Sequence, residues 1–251
     1  MSAADLLDVG LRFADASGEW VSTTLGEVGV EPLLTAAPAR GLRSRVGQRN
    51  YCGWHWSSTT GSHVGYESLL ERDRLWMADF DPWVHGIVSQ PFWLTGRDGR
   101  EIRRHAPDFF FAGAEQEVVV VDVKPADLLD KPEVAEVFAW TGRLCAARGW
   151  RYEVWSGVDP TVLRNVRYVG AGRRREFVPE ATLAAAMTVR AAGRVLGEVE
   201  AEVLALGHDA KAVRLAALAM IWHRDWVIDM TVPLSSGSVV RDAARCEVSG
   251  V

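Results

Sequence analysis

The segment Val118-Val119-Val120-Val121-Asp122-Val123-Lys124-Pro125 follows closely after Ala106-Pro107-Asp108-Phe109-Phe110-Phe111 in this chain of 251 residues. Four successive valines leave no polar face, which is typical of a central strand covered on both sides. Successive side chains of a strand point to opposite faces, so Asp122 and Lys124 share a face while Val123 points into the core. The two segments therefore predict neighbouring strands of a mixed α/β sheet, with charged side chains at the strand ends.

Hydrophobic spacing predicts the elements around these strands. Apolar residues recur at three- and four-residue intervals over 66–80, which indicates a helix, and Asp81-Pro82 should end it. The predicted strands are 84–88, 91–95, 101–111 and 117–123, with Gly96-Arg97-Asp98-Gly99 as a hairpin turn, followed by a helix over 132–148, a strand over 151–155 and a short helix over 160–168. This order predicts a mixed α/β core flanked by helices.

Composition and pattern predict an arm and two domains. Residues 1–60 contain short strand-like or irregular pieces broken by Gly and Pro, and we expect an N-terminal arm packed on the next domain. Residues 61–175 should form the α/β core. Residues 176–251 predict a small helical, winged-helix-like domain, with helices over 178–192, 195–206 and 209–223 and Asp209 as a helix N-cap. Apolar and polar residues alternate over 226–234 and a turn is expected over 234–238, which predicts a terminal hairpin.

The charge of the chain is unevenly distributed. Its net charge of −5 at first argues against a nucleic-acid partner, because affinity for DNA comes largely from cations that displace counterions around phosphates. Arginines nevertheless cluster, which predicts a locally basic face; the alternative is a general bias of the chain towards arginine. The clusters are Arg40, Arg43, Arg45 and Arg49; Arg97, Arg100, Arg103 and Arg104; and Arg173, Arg174 and Arg175.

Lysine, by contrast, is rare. The chain has three lysines, Lys124, Lys131 and Lys211, so arginine fills nearly every general positive-charge position. Lys124 follows the central strand and stands out as a position that needs a primary amine.

Features that the sequence lacks indicate where the protein is located and exclude several classes of chemistry. No apolar run approaches the roughly 20 residues of a membrane-spanning helix. The three cysteines, Cys52, Cys145 and Cys246, are an odd number without repeated spacing, and no signal sequence is seen, so we expect a cytoplasmic protein with no membrane partner. Cys52 and His55 have metal-ligand spacing but lack a second pair, which favours structural roles over zinc. No phosphate-binding Gly-Lys loop or serine elbow occurs.

The strand ends carry the candidate chemistry. If their strands are neighbours, Asp108 and Asp122, with the Val123 carbonyl, supply the oxygen ligands that Mg²⁺ prefers, and Mn²⁺ should substitute. Such a cation activates water, neutralises a scissile phosphate and stabilises the leaving oxygen. Lys124 could orient the attacking water or stabilise charge in the transition state. This pattern predicts metal-dependent phosphodiester cleavage.

The predicted helix supplies a further acid. Glu67 and Glu71 are four residues apart and share a helical face, so either could point to the site. His105 lies near Asp108 in sequence, which allows a role at the scissile phosphate.

The order of the motifs resembles the TnsA endonuclease subunit of heteromeric cut-and-paste transposases, a member of the PD-(D/E)xK nuclease superfamily, over residues 66–168. The matching motifs are Glu71, Asp81-Pro82, Gln90-Pro91-Phe92, Pro107-Asp108-Phe109 and Val121-Asp122-Val123-Lys124-Pro125-Ala126. The resemblance implies a restriction-endonuclease-like core with Glu71, Asp108, Asp122 and Lys124 as the catalytic set, and it favours Glu71 over Glu67. The best-known member has glutamine at the position of Asp122, and aspartate there should favour metal binding.

The resemblance also implies a reaction and its partners. A TnsA-like subunit cleaves double-stranded DNA at the 5′ ends of a transposable element, while an RNase H-like transposase cuts the 3′ ends and an ATP-dependent regulator contacts the nuclease. The winged-helix-like second domain fits the family layout, but its motif match is thin. Two alternatives remain open: a stand-alone defence or repair nuclease of the same superfamily, and a catalytically inactive DNA-binding scaffold.

Overall fold

The computed structural model describes residues 2–40 and 51–241. Its strands are β1 (Gly10–Ala14), β2 (Trp20–Thr24), β3 (Gly53–Ser57), β4 (Ser62–Tyr66), β5 (Gly86–Ser89), β6 (Trp93–Asp98), β7 (Glu101–His105), β8 (Phe109–Ala112), β9 (Val118–Val123) and β10 (Arg151–Trp155). Its α-helices are α1 (Ala3–Leu7), α2 (Val30–Leu34), α3 (Leu69–Phe80), α4 (Pro132–Arg148), α5 (Pro160–Val169), α6 (Glu180–Thr188), α7 (Leu196–Ala205) and α8 (Ala210–Trp222). Arg43, Arg45, Arg49 and Cys246 lie outside the described residues.

The central sheet has the strand order β10-β9-β8-β5. Strand β8 is antiparallel to both β5 and β9, and β10 is parallel to β9. All six residues of β9 are buried, because apolar clusters cover both faces of the sheet. Val118 and Val120 pack in the cluster that contains Trp140 of α4, whereas Val121 packs in the cluster that contains Leu75 of α3. The predicted mixed α/β architecture is confirmed.

A second, antiparallel sheet has the strand order β2-β1-β6-β7, and it corrects two expectations. Strand β1 pairs with both β2 and β6, so much of the expected N-terminal arm is built into this sheet. The single strand expected over 101–111 is wrong, because the chain leaves this sheet after His105 and enters the central sheet at Phe109. Pro107 lies in the crossing segment, where its missing N–H interrupts no strand pairing.

The hairpin turn predicted over 96–99 lies two residues later in the chain, over 98–101. Strands β6 and β7 pair as far as Asp98 opposite Glu101, so Gly99 and Arg100 make the turn. Gly99 has a φ of +64°, a conformation that glycine adopts without steric cost.

The β3–β4 hairpin is anchored to α3 through buried Asp79. The Asp79 carboxylate accepts hydrogen bonds from Ser57 Oγ at 2.7 Å and from the backbone N–H groups of Ser58 and Thr59 at 3.0 and 2.8 Å. Burial raises the pKa of Asp79, but its contacts with His55, Ser57 and the two backbone amides outweigh burial and lower the pKa to about 2. His55 Nε2 lies 3.5 Å from the same carboxylate, so His55 has a structural contact there.

The chain divides into two compact units, Met1–Gly157 and Val158–Val251. The division lies earlier than the expected 175/176 boundary because α5 and the following 3₁₀ turn, Gly170–Gly172, pack against α8. A Cβ atom on Gly172 would lie 2.2 Å from the Ala219 nitrogen, so this close approach requires glycine.

The second unit contains the three predicted helices α6, α7 and α8. Asp209 caps α8, as predicted, by accepting from the backbone N–H groups of Lys211 and Ala212. The expected terminal hairpin forms no paired strands within the described residues, where the segment 226–234 makes the isolated antiparallel bridge Val227–Arg241. None of the described helices in either unit combines the length and apolar character needed to cross a bilayer.

Candidate functional site

A cavity of about 500 Å³ opens where β8 begins and β9 ends. All the residues that the sequence singled out for chemistry line it, namely Glu71, Asp108, Asp122, Val123 and Lys124. Its other polar lining comes from Arg40, Glu67, Ser68, Arg104 and His105. Four acidic side chains and one lysine, from three separate segments of the sequence, thus share one pocket of the first unit.

Asp108 is held between strands of the central sheet. Its backbone N–H donates to the Val121 carbonyl at 3.0 Å, and its backbone carbonyl accepts from the Gln90 N–H at 2.8 Å. Its side-chain Oδ2 accepts from the Val123 N–H at 2.8 Å. Burial raises the pKa of Asp108 well above its ordinary value, and the negative charges of Asp122 and Glu71 raise it further. The pocket therefore concentrates negative charge.

Asp122 is almost completely buried, at 1% exposure, and its carboxylate is held by two side chains. His105 Nε2 lies 2.9 Å from Oδ1 and 2.8 Å from Oδ2. The Tyr152 hydroxyl donates to Oδ2 at 2.5 Å. Burial raises the pKa of Tyr152, and the Asp122 charge raises it further, so the phenol stays protonated and donates this bond. His105 thus contacts Asp122 rather than Asp108, the neighbour that sequence proximity suggested.

Tyr152 was not among the residues singled out from the sequence. It lies two positions before Val154, which pairs with Asp122 in the parallel register of β9 and β10. Side chains of a strand alternate between faces, so Tyr152 shares the face of Asp122. Period-two alternation would have identified this residue only once the register of the two strands was known.

The Glu71 side chain bonds to the two residues that precede its helix. Its Oε2 accepts from the Glu67 N–H at 2.7 Å and its Oε1 from the Ser68 hydroxyl at 2.9 Å, while Ser68 Oγ accepts from the Glu71 N–H. Helix α3 therefore begins at Leu69 rather than at the expected residue 66, because Ser68 is its N-cap. Burial raises the pKa of Glu71, and these hydrogen bonds only partly oppose the effect.

A pair of glutamine substitutions separates the two helix acids. Glu71→Gln keeps an oxygen acceptor for its hydrogen bonds but removes the charge that acts on Asp108, so we expect it to reduce the predicted phosphodiester cleavage far more than Glu67→Gln. Glu71→Ala should in addition destabilise the protein by about 1 kcal/mol, because it removes the acceptors of the Glu67 N–H and the Ser68 hydroxyl. Single-turnover cleavage rates and melting curves of the three variants measure both effects. A larger cleavage loss in Glu67→Gln would show that Glu67, rather than Glu71, is the helix acid of the site.

Two cationic side chains face these acids. Arg40 NH2 lies 3.1 Å from Glu67 Oε2 and 3.6 Å from Asp108 Oδ1. Lys124 leaves the end of β9, where its backbone N–H donates to the Trp155 carbonyl at 2.9 Å. This bond to the neighbouring strand fixes the point from which the Lys124 side chain enters the pocket.

The chemistry of the donors suits a hard divalent cation. Burial raises the pKa of both Asp108 and Glu71, and the charges of Asp122 and Glu71 raise that of Asp108 further, so a positive ion would stabilise this group of carboxylates. Carboxylate oxygens are preferred Mg²⁺ ligands. Within residues 2–40 and 51–241, however, no three His, Cys, Asp or Glu side chains are already arranged as a metal-binding group. Both Glu71 oxygens accept protein hydrogen bonds, and Asp122 is shared with His105 and Tyr152. A carboxylate has about four lone-pair sites, so both acids retain acceptor capacity.

A search of protein-family models found no match to this chain, and a search of curated proteins found none either.

Proposed function

We propose that this chain is a metal-dependent endodeoxyribonuclease that hydrolyses phosphodiester bonds in double-stranded DNA. One observation carries the proposal: Glu71, Asp108, Asp122 and Lys124 line a single pocket at the ends of the central strands. Buried carboxylates around a cavity, with a lysine beside them, suit the activation of water next to a phosphate.

The order of elements in the first unit supports a restriction-endonuclease-like core. A helix (α3), three antiparallel strands (β5, β8 and β9), a second helix (α4) and a parallel strand (β10) follow one another around the pocket. The hairpin of β6 and β7 interrupts this order and belongs to the other sheet. Strand β9 carries Asp122 next to its C-terminal end. This is the position expected for the Asp-x-Lys motif of the PD-(D/E)xK nuclease superfamily.

Each site residue has a role in the proposed reaction. Asp108, Asp122 and the Val123 carbonyl would hold Mg²⁺ or Mn²⁺, with Glu71 completing the set. When bound, the cation supplies charge neutralisation at the scissile phosphate and lowers the pKa of water. Lys124 donates hydrogen bonds to the attacking water or to the phosphate oxygens.

The neighbours of Asp122 hold it in place for this role. The short hydrogen bond from Tyr152 and the contact with His105 restrict the rotamer of the Asp122 side chain. A carboxylate whose orientation is set before the substrate arrives loses less entropy on binding.

The transposition context rests on the resemblance to TnsA. In that setting the chain cuts the 5′ ends of a transposable element, together with an RNase H-like transposase and an ATP-dependent regulator. The second unit would then correspond to the winged-helix-like domain of the family. Its helices α6, α7 and α8 and the Asp209 cap support the helical part of that layout.

End-labelled element-terminus DNA with Mg²⁺ or Mn²⁺ tests the function. The protein alone, the protein with its candidate transposase, and Asp122→Asn with that transposase are compared, and EDTA serves as the metal-free control. Asparagine keeps an acceptor for the Tyr152 hydroxyl, so the variant should fold. We expect 5′-end cleavage that needs the partner and the metal and is lost in Asp122→Asn.

The other outcomes favour the two alternatives. Metal-dependent cutting without the partner would identify a stand-alone defence or repair nuclease. No cutting with either metal, in the presence of a transposase that cuts its own strand, would point to an inactive DNA-binding scaffold.

A further inference from the structure

The outer face of the sheet β2-β1-β6-β7 carries arginine and tryptophan side chains. Leu11, Phe13 and Leu94 of this sheet are buried in the core cluster that contains Trp140, so the alternate positions point away from that core. We call eight of these alternate positions the arginine face; they are Arg12, Trp20, Ser22, Trp93, Thr95, Arg97, Ile102 and Arg104.

The strand register places these side chains in adjacent rows. Arg12 of β1 pairs with Ser22 of β2 and with Trp93 of β6. Thr95 of β6 pairs with Arg104 of β7, and Arg97 pairs with Ile102. Directly paired residues point to the same side of a sheet, so these side chains form one continuous surface.

Two arginines of this face are stacked on tryptophans. The guanidinium carbon of Arg12 lies 4.4 Å from the centroid of the Trp20 ring, and that of Arg104 lies 4.0 Å from the Trp93 ring. The Trp93 indole is itself held, because its Nε1 donates to the Ala39 carbonyl at 3.2 Å. Stacking restrains the planar guanidinium group while its edges remain free to donate hydrogen bonds.

The arginines of the face contrast with their neighbour Arg103. Arg103 points to the other side of β7, where its guanidinium contacts the carboxylates of Asp98, Glu101 and Glu136 at 2.7 to 3.2 Å. Among the described residues, Arg12, Arg97 and Arg104 form no ion pair with a carboxylate. Within the β6–β7 hairpin, Arg103 is therefore paired with carboxylates on one side, whereas Arg97 and Arg104 on the other side have no such partner among the described residues.

No carboxylate occupies a strand position of the arginine face, although the chain as a whole has a net charge of −5. Glu27 follows β2, and its carboxylate accepts from the Thr24 hydroxyl at 3.1 Å. Asp5 and Asp8 of α1 line a pocket together with Thr95 and Arg97, so acids border this face but do not enter its rows. Rows of exposed arginines without ion-pair partners among the described residues are typical of a surface for a polyanion.

We propose that the arginine face binds the phosphate backbone of duplex DNA and leads it to the candidate active site. Trp93 and Arg104 belong both to this face and to the lining of the cavity that contains Asp108 and Asp122, so the surface is continuous with the site. The proposal rests on the proposed nuclease function for the identity of the polyanion.

The stacking geometry favours a duplex over a single strand. Proteins that bind single strands stack bases on open aromatic rings. Here Arg12 already covers one face of the Trp20 ring, and Arg104 covers one face of the Trp93 ring. What the face offers is guanidinium edges, which match phosphate oxygens.

Fluorescence anisotropy of a labelled duplex in EDTA measures binding without cleavage. We expect the triple variant R12A/R97A/R104A to raise the dissociation constant by at least about tenfold and to reduce the slope of log affinity against log salt by roughly 1 for each arginine. Arg103→Ala is the matched control, since it removes one arginine from the other side of the hairpin, and its dissociation constant should stay close to that of the parent protein.

Thr95→Glu gives an independent test that removes no arginine. It adds a carboxylate directly opposite Arg104 on an exposed strand position, and we expect it to weaken duplex binding as well. Circular dichroism and melting curves confirm that each variant is folded. If R12A/R97A/R104A misfolds, Thr95→Glu carries the test.

Three results would overturn the proposal: unchanged duplex affinity in R12A/R97A/R104A and Thr95→Glu, an equal loss in Arg103→Ala, or a loss confined to RNA or to an acidic polypeptide. The nuclease function is tested separately by cleavage. A protein that binds duplex DNA through this face but never cuts it would refute the proposed function alone, and one that cuts with unchanged affinity in both variants would refute only the surface.

Discussion

Replacing Asp108 by asparagine is expected to abolish DNA cleavage and, at the same time, to raise the melting temperature of the protein at neutral pH. The loss of cleavage should be about 10³-fold or more, because a metal-coordinating carboxylate contributes several kcal/mol to the stability of the transition state. The gain in stability has a different origin. It comes from removing one of three negative charges that are buried together.

The structure explains why this substitution should preserve the fold. Asp108 Oδ2 accepts from the Val123 N–H, and the amide oxygen of asparagine can accept the same bond. Arg40 lies 3.6 Å from Asp108 but 3.1 Å from Glu67, so it keeps its closer partner. The substitution removes the negative charge of Asp108, which burial and the charges of Asp122 and Glu71 all destabilise.

The pH dependence gives the sign of the stability effect. Burial and the neighbouring charges raise the pKa of Asp108 above its ordinary value of 3.8, so the folded state holds this proton more tightly than the unfolded chain. Stability is therefore lost as pH rises from about 4 through the raised pKa, and it does not return above it. We expect the advantage of Asp108→Asn to be absent in acid, to grow over this interval and to persist at neutral pH.

Melting curves of both proteins across this pH range test the idea, with EDTA present to remove bound cations. About 1 kcal/mol corresponds to roughly 2 to 4 °C in a protein of this size, so a shift of a few degrees is measurable. Asp98→Asn is the control. Burial raises the pKa of Asp98, but contacts with Arg103 and Arg143 outweigh burial and lower it, so removing the Asp98 charge should not raise the melting temperature. A melting temperature that falls in Asp108→Asn at neutral pH would contradict the picture of a strained acidic pocket.

Local sequence pattern was sufficient for much of this site. The run of valines predicted the central strand because only a strand buried on both faces tolerates such a sequence, and Asp122 follows directly from it. The spacing of Asp122 and Lys124 needed no knowledge of distant contacts. The helix over 132–148 and the strand over 151–155 were predicted with the observed bounds, since proline opens the helix and Gly149, at φ +78°, ends it.

The features that the sequence did not reveal depend on pairing between distant segments. Tyr152 meets Asp122 only through the parallel register of β9 and β10, and no local pattern specifies a register. The division of 101–111 between two sheets likewise depends on β1, which pairs with β6 across a long separation in sequence. Arg103 and Arg104 point to opposite sides because side chains alternate along a strand, but only the pairing of β7 shows which of the two lies on the exposed face.

Lys124→Ala is expected to reduce cleavage by about 10² to 10³-fold, the usual cost of removing one donor that stabilises developing charge. Lys124 enters the pocket beside Asp122, whereas Lys131 is exposed at the start of α4 and its side chain makes no cap hydrogen bond. Lys131→Ala removes the same charge from the same unit, so it controls for the general attraction of DNA. It should cleave at the parent rate.

Lys124→Arg distinguishes a specific amine from a simple positive charge. Arginine keeps the charge but is a planar fork, whereas the lysine ammonium is a compact donor that fits beside a water molecule. Because the chain uses arginine at nearly every other basic position, we expect arginine at 124 to restore DNA binding without restoring the single-turnover rate. Full activity in Lys124→Arg would mean that Lys124 acts only by its charge, and equal losses in Lys124→Ala and Lys131→Ala would remove it from the catalytic set.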